Sequence, residues 1–179
     1  MLAIIAAAGL VAIALAAVVR RRTGWPWAIA LALLLWSLVA IGVLTLIPAS
    51  GAPGIVPAEG RLTSCSWDIG GPAPDGFWIF PGGQRLLNAL VFVPSGALVV
   101  LVAARWRRGG IVVGVLGLAA LIGYSIGIEL TQLAAARIDR ACDVTDIIDN
   151  ARGAIVGGVL GVPIAVLLRR RLRRSRLDR

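Results

Sequence analysis

Long apolar runs separated by short polar segments dominate the chain. Five of them approach the about 20 apolar residues that a helix needs to cross a hydrocarbon layer. They are Leu2–Val19, Trp25–Ile47, Leu86–Ala104, Ile111–Ala134 and Ile147–Leu168. In lipid every backbone polar group must find an internal partner, so such runs form helices. The pattern predicts an all-α fold, a polytopic transmembrane helical bundle of about five spans. The first run is slightly short but carries no internal charge. Arg20, Arg21 and Arg22 follow it rather than precede it, the reverse of a cleaved signal peptide, so it reads as a retained anchor. Residues 48–85 form the one long loop, whose Gly and Pro content favours turns over a folded domain. Trp67, Phe77, Trp78 and Phe80 either lay this loop on the bilayer interface or pack within it. The chain divides into a first anchor with a basic turn (1–24), a four-helix membrane domain carrying the loop (25–168) and a basic tail (169–179). Gly123-x-x-x-Gly127, Gly153-x-x-x-Gly157 and Gly157-x-x-x-Gly161 have the spacing that lets helices approach closely.

Composition agrees with the pattern. Hydrophobic residues make up 59% of the chain and charged residues 15%, against about 45–50% and about 25% in soluble domains. A water-soluble enzyme and a disordered chain are both excluded on these grounds. The absence of His removes Ser–His triads and His metal sites. The net charge is +9, and all 18 basic residues are Arg. Thirteen of these Arg fall at alternate boundaries: 20–22, 105–108 and the tail. The other five share the opposite boundaries with eight of the nine acids. The positive-inside rule then predicts an amino terminus outside and a carboxyl terminus in the cytoplasm of a cell membrane. On this reading the Arg tail contacts anionic lipids of the bilayer. Nucleic acid is not expected as a partner, because no reading module accompanies the tail.

The polar residues inside or beside the spans carry the candidate chemistry. Glu129 lies 18 residues beyond Ile111, about 27 Å at 1.5 Å per residue, which nearly crosses a core of about 30 Å. Gln132 follows at i+3 on the same face. Asn88 opens the third span, close to the same surface. Asp146, Asn150, Gly153 and Gly157 open the fifth, again on one face. Arg137, Asp139, Arg140 and Asp143 lie between. Three chain regions thus deliver polar groups to one depth and one side. Structural roles are available for each. Asp143 and Asp146 can cap a helix, Asn150 can bond a neighbouring helix, and Glu129 can pair with Arg140 or Arg85. Because intramembrane ionisable groups are costly, a binding or reaction site is the other reading. In it Arg140 contacts an anion through its planar fork. Glu129 and Asp146 act as acid–base groups or Arg partners, while Asn88, Gln132 and Asn150 supply neutral hydrogen bonds. The acids from Asp139 to Asp149 match no cation loop, so no metal and no cofactor is expected. Topology sends both cysteines, Cys65 and Cys142, outside, where disulfides persist. A Cys65–Cys142 bridge would pin the loop over the polar cluster; the alternative is two unpaired thiols.

Asn88-x-x-x-Phe92-x-Pro94-x-Gly96 resembles the opening motif of the VanZ-like membrane protein family. Glu129-x-x-Gln132 resembles its second motif. Arg140-x-x-Asp143-x-x-Asp146-x-x-x-Asn150-x-x-Gly153-x-x-x-Gly157 resembles its third. Ser95 stands where the family often has an apolar residue, and Asp149 and Arg152 add charge to a usually apolar stretch. The resemblance spans about residues 40–165. The family takes its name from a protein that gives low-level resistance to the glycopeptide teicoplanin. The combined expectation is a cell-envelope membrane protein with an outward-facing polar pocket. That pocket would recognise or modify an envelope lipid or a lipid-linked ligand. The alternative is a membrane hydrolase or transferase acting on lipid headgroups. It lacks a nucleophile-plus-base arrangement, and the residues after Asp149 lack the pattern of CDP-alcohol phosphotransferases. A transporter is disfavoured, since no inverted repeat or mid-membrane charge path is present. Ligand identity and oligomeric state stay open at this stage.

Overall fold

The computed structural model describes residues 1–47, 63–69, 83–135 and 142–177. The described residues form helices α1 (Leu2–Thr23), α2 (Trp25–Leu46), α3 (Gly83–Ala103), α4 (Gly110–Ala135) and α5 (Val144–Leu177). All five are long and apolar enough to cross a membrane. Their outward surfaces are apolar too: Ile111 and Leu10 are 85% and 70% exposed. Water would oppose that exposure, whereas lipid tails accept it, and the chain is a multi-pass membrane protein.

α1 and α2 form a hairpin around Gly24, whose φ of 84° lies where a Cβ is disfavoured. Pro26 follows in the first turn of α2, where a missing N–H costs nothing. Ala12, Ala16, Ala28 and Ala32 make a buried seam of small side chains. The Trp36 indole N–H donates to the Ile5 carbonyl at 2.9 Å, so the ring's polar edge is satisfied inside the seam. Among the described residues α1 packs on α2 alone.

α3 and α5 share the most extensive interface of the bundle. Gly153, Gly157 and Gly161 of α5 face the carbonyls of Ala89, Val93 and Ala97 of α3, so the two helices run parallel in a fixed register. A methyl group at Gly153 or Gly157 would collide with the facing carbonyl oxygen. Gly96 stands in the reciprocal relation to Ala154. These glycines let two backbones touch, which is the main source of attraction between helices in lipid. Gly123 and Gly127, in contrast, have nothing within 4 Å of a would-be Cβ, so their spacing serves no helix approach among the described residues.

α2 and α4 complete the core. Ile41, Phe92, Val99, Leu121, Ile128 and Ala154 meet in one buried cluster drawn from α2, α3, α4 and α5. The Tyr124 hydroxyl donates to the Leu38 carbonyl at 2.8 Å. Ser95, fully buried, meets Ser37 of α2 oxygen to oxygen at 2.9 Å, which accounts for a hydroxyl in an apolar stretch.

α3 and α5 are among the elements that extend past the expected spans. α3 begins at Gly83, so Arg85 is already helical. α5 has 34 residues and carries the basic segment from Arg169 to Leu177 as continuous helix. At 1.5 Å per residue it measures about 51 Å, longer than a hydrocarbon core of about 30 Å. Its arginine-rich end therefore projects beyond the apolar layer, with cations at the negative end of the helix dipole.

Candidate functional site

The end of the bundle where α4 stops and α5 begins is tied together by a disulfide. Cys65 and Cys142 are bonded, with Cα atoms 4.5 Å apart. The flanking backbone adds a short parallel bridge between Ser66 and Asp143. The Ser66 N–H donates to the Cys142 carbonyl at 2.8 Å, and the Val144 N–H donates to the Ser66 carbonyl at 3.1 Å. The first amides of a helix lack internal partners. In α5 they are supplied: Val144 by Ser66, and Thr145 by the Asp143 carboxylate at 2.8 Å. Asp143 is thus the cap of α5, as its position before an apolar run suggests. The Thr145 hydroxyl also donates to the Asp68 carbonyl at 3.4 Å, a second stitch to the 63–69 segment.

Glu129 joins this junction from α4. It is 3% exposed, and its Oε2 accepts the Asp143 N–H at 3.1 Å. A buried carboxylate is costly unless hydrogen-bonded. Here it lies against the start of α5, where aligned peptide dipoles place partial positive charge. Cys142, fully buried, is the adjacent residue, so disulfide, helix cap and acid form one contiguous unit.

A second layer of polar contacts links the helices. Asn150 donates from Nδ2 to the Ser125 Oγ at 2.9 Å, joining α5 to α4. Gln132 donates from Nε2 to the Thr45 carbonyl at 2.9 Å, joining α4 to the last turn of α2. Arg85 of α3 grips Asp149 with Nε at 2.8 Å and Nη2 at 3.2 Å. Arg152 reaches the same carboxylate at 2.9 Å. The Arg85–Asp149 pair has the 64-residue separation of the Ala89–Gly153 and Val93–Gly157 contacts, so it continues their register toward this end. Asn88 lies one residue before Ala89. Its Nδ2 is buried and has no hydrogen-bond partner among the described residues.

Of the residues singled out in the sequence, Glu129 and Asp143 meet directly. Asp146 is half-buried in the first turn of α5, and its N–H donates to the Asp143 carbonyl at 3.2 Å. Gln132 and Asn150 are buried but bond to other helices. Arg140, Arg137 and Asp139 lie outside the described residues, as do Phe77, Trp78 and Phe80. Trp67 is 76% exposed. One expectation changes: Arg85, a candidate partner for Glu129, is engaged by Asp149 instead. The cause is the α3–α5 seam, which sets Arg85 opposite α5 rather than α4. Ser37, Ser125 and the Arg85–Asp149–Arg152 group were not recognised as a layer from sequence. Only the i,i+3 spacing of Asp149 and Arg152 was visible there.

The arrangement suits recognition through hydrogen bonds: a buried acceptor, neutral amides and, among the described residues, one unsatisfied buried donor, with a disulfide-fixed segment beside them. The family model described as VanZ/LLP1 covers residues 34–169, more than half of the chain. No curated protein and no solved structure matches it.

Proposed function

From the chain's membership of the VanZ/LLP1 family, we propose that it is an envelope membrane protein whose polar layer at the disulfide end recognises an envelope component from outside the cell. The ligand class is a lipid or lipid-linked molecule that offers a hydrogen-bond acceptor. The observation that carries this reading is Asn88, whose amide nitrogen is buried without a partner among the described residues. Leaving a donor unsatisfied costs about 1–3 kcal/mol, a cost that binding an acceptor would recover. Glu129, Gln132 and Asn150 lie on the helices that meet at this end. Arg140, in the same motif, would supply the anion contact through its guanidinium. The cellular consequence, implied by the family resemblance, is protection against teicoplanin.

Asn88→Leu separates a binding role from a structural one. The substitution keeps the branched outline and the number of heavy atoms and removes the unsatisfied donor. It is expected to hold or raise the melting temperature of the purified protein and to abolish growth under teicoplanin in cells that overexpress it. Full protection by a normally expressed Asn88→Leu variant overturns the recognition role. No protection from the unmodified chain overturns the resistance reading alone.

A further inference from the structure

The arginine end of the bundle holds two neighbouring cavities that share part of their lining and that the polar layer does not involve. A chamber of about 720 Å³ lies among the start of α2, the α3–α4 turn and α5. Its walls include Trp27, Arg105, Arg170 and Arg173. A groove of about 490 Å³ lies beside it between α3, α4 and α5, walled by Val100, Leu118, Val159 and Val162. Arg107 and Arg169 line both spaces, so they mark where charge gives way to apolar wall. Gly158 keeps the groove open, since a Cβ there would press on Leu118.

Arg169 is held in place by the structure. Its Nε donates to the Ala104 carbonyl and its Nη2 to the Trp106 carbonyl, both in the α3–α4 turn. These bonds use two of the five donors of a guanidinium. Among the described residues every carboxylate side chain belongs to the opposite end: Asp68, Glu129, Asp143, Asp146 and Asp149. The arginine end therefore carries a large net positive charge. Trp25, Trp27 and Trp106 gather at the same level, the usual place of aromatic rings at a membrane–water interface. From Arg169 to Gly158 the helix advances about 16 Å, close to half of a hydrocarbon core of about 30 Å. The groove thus has the depth of one leaflet, with arginines at its mouth.

We propose that this is a site for one anionic phospholipid, with its phosphate in the arginine chamber and one acyl chain in the groove between α4 and α5. The guanidinium fork suits a phosphate. The groove supplies the discrimination between a held lipid and one that is merely near a basic surface.

The test uses the full chain, delipidated in detergent and titrated with phosphatidylglycerol or phosphatidylcholine of identical chains, with occupancy read by native mass spectrometry. Phosphatidylglycerol is expected to bind about tenfold more tightly or better, and millimolar glycerol 3-phosphate to leave that binding unchanged. The double variant Arg107→Gln, Arg173→Gln is expected to weaken phosphatidylglycerol about tenfold. Val162→Phe, which fills the groove, is expected to weaken both lipids. Arg20→Gln with Arg21→Gln, at the same end but outside both cavities, is the control and is expected to change little. Val162 is 52% exposed, so the protein should fold with Phe there; Val159, 65% exposed, offers the same test should it not. Equal losses in the two arginine pairs, or no loss in either groove variant, overturn the proposal. Displacement of lipid by glycerol 3-phosphate alone would make it a small-anion site and overturns it as well.

Discussion

Glu129 is the residue on which the disulfide end converges. Its carboxylate takes the amide of Asp143, and that residue also caps α5 and follows the bonded Cys142. Hydrogen bonds to a charged group contribute about 1.5–3 kcal/mol. Glu129→Gln keeps an acceptor but loses the charge, so it should lower stability by about 1–2 kcal/mol, measured by unfolding in mixed micelles. The loss should be non-additive with Cys65→Ser, because both changes loosen the same junction. Strict additivity would mean that the acid and the disulfide act independently. Asp149 and Arg152 make a contrasting pair. The Asp149 side chain is 6% exposed while that of Arg152 is 64% exposed, and exposed ion pairs contribute little. Asp149→Asn should therefore lower the melting temperature clearly more than Arg152→Gln. Equal effects would remove the case for Asp149 as the centre of that group.

At the scale of elements, the glycines divide into those that touch a backbone and those that do not. Gly157→Ala would drive a methyl into the Val93 carbonyl, and α3 and α5 would have to separate. Such overpacking costs about 1–3 kcal/mol. Gly123→Ala meets open space and gains up to about 1 kcal/mol of helix propensity. The two substitutions should thus move the melting temperature in opposite directions, and a shared sign would contradict the packing described. This contrast also marks how far the sequence could be read. The five helices were legible, because a run of apolar residues has only one way to satisfy its backbone in lipid. The Asp143 cap was legible from its place before Val144. The shared side of Cys65 and Cys142 allowed a bridge or two unpaired thiols, and the structure shows the bridge. The choice between Gly123 and Gly157 was not legible, since both share a spacing and spacing does not name the facing helix. Arg85–Asp149 and Ser37–Ser95 were hidden for the same reason. Each depends on the register between separate helices, which side-chain packing sets.

Across the whole molecule the two ends differ in kind. One carries the disulfide and every described carboxylate. The other carries the arginines of the α1–α2 turn, the α3–α4 turn and the far end of α5. Two arguments predict the orientation of the chain. Positive charge near short loops is retained in the cytoplasm during insertion. Disulfides persist on the oxidising side and are rare in the cytosol. Both predict that residues 63–69 lie outside and residues 105–110 inside. The polar layer would then face the envelope, and the arginine cavities the cytoplasmic leaflet, whose anionic lipids attract basic segments. Single-cysteine variants on a Cys65→Ser, Cys142→Ser background test the orientation. Trp67 and Arg108 are both exposed, so each position is open to reagent. Trp67→Cys is expected to react with a membrane-impermeant maleimide in intact cells, and Arg108→Cys only after permeabilisation. The opposite result would reverse the orientation. It would also place the disulfide in a reducing compartment, where alkylation of the unmodified protein should find both thiols free.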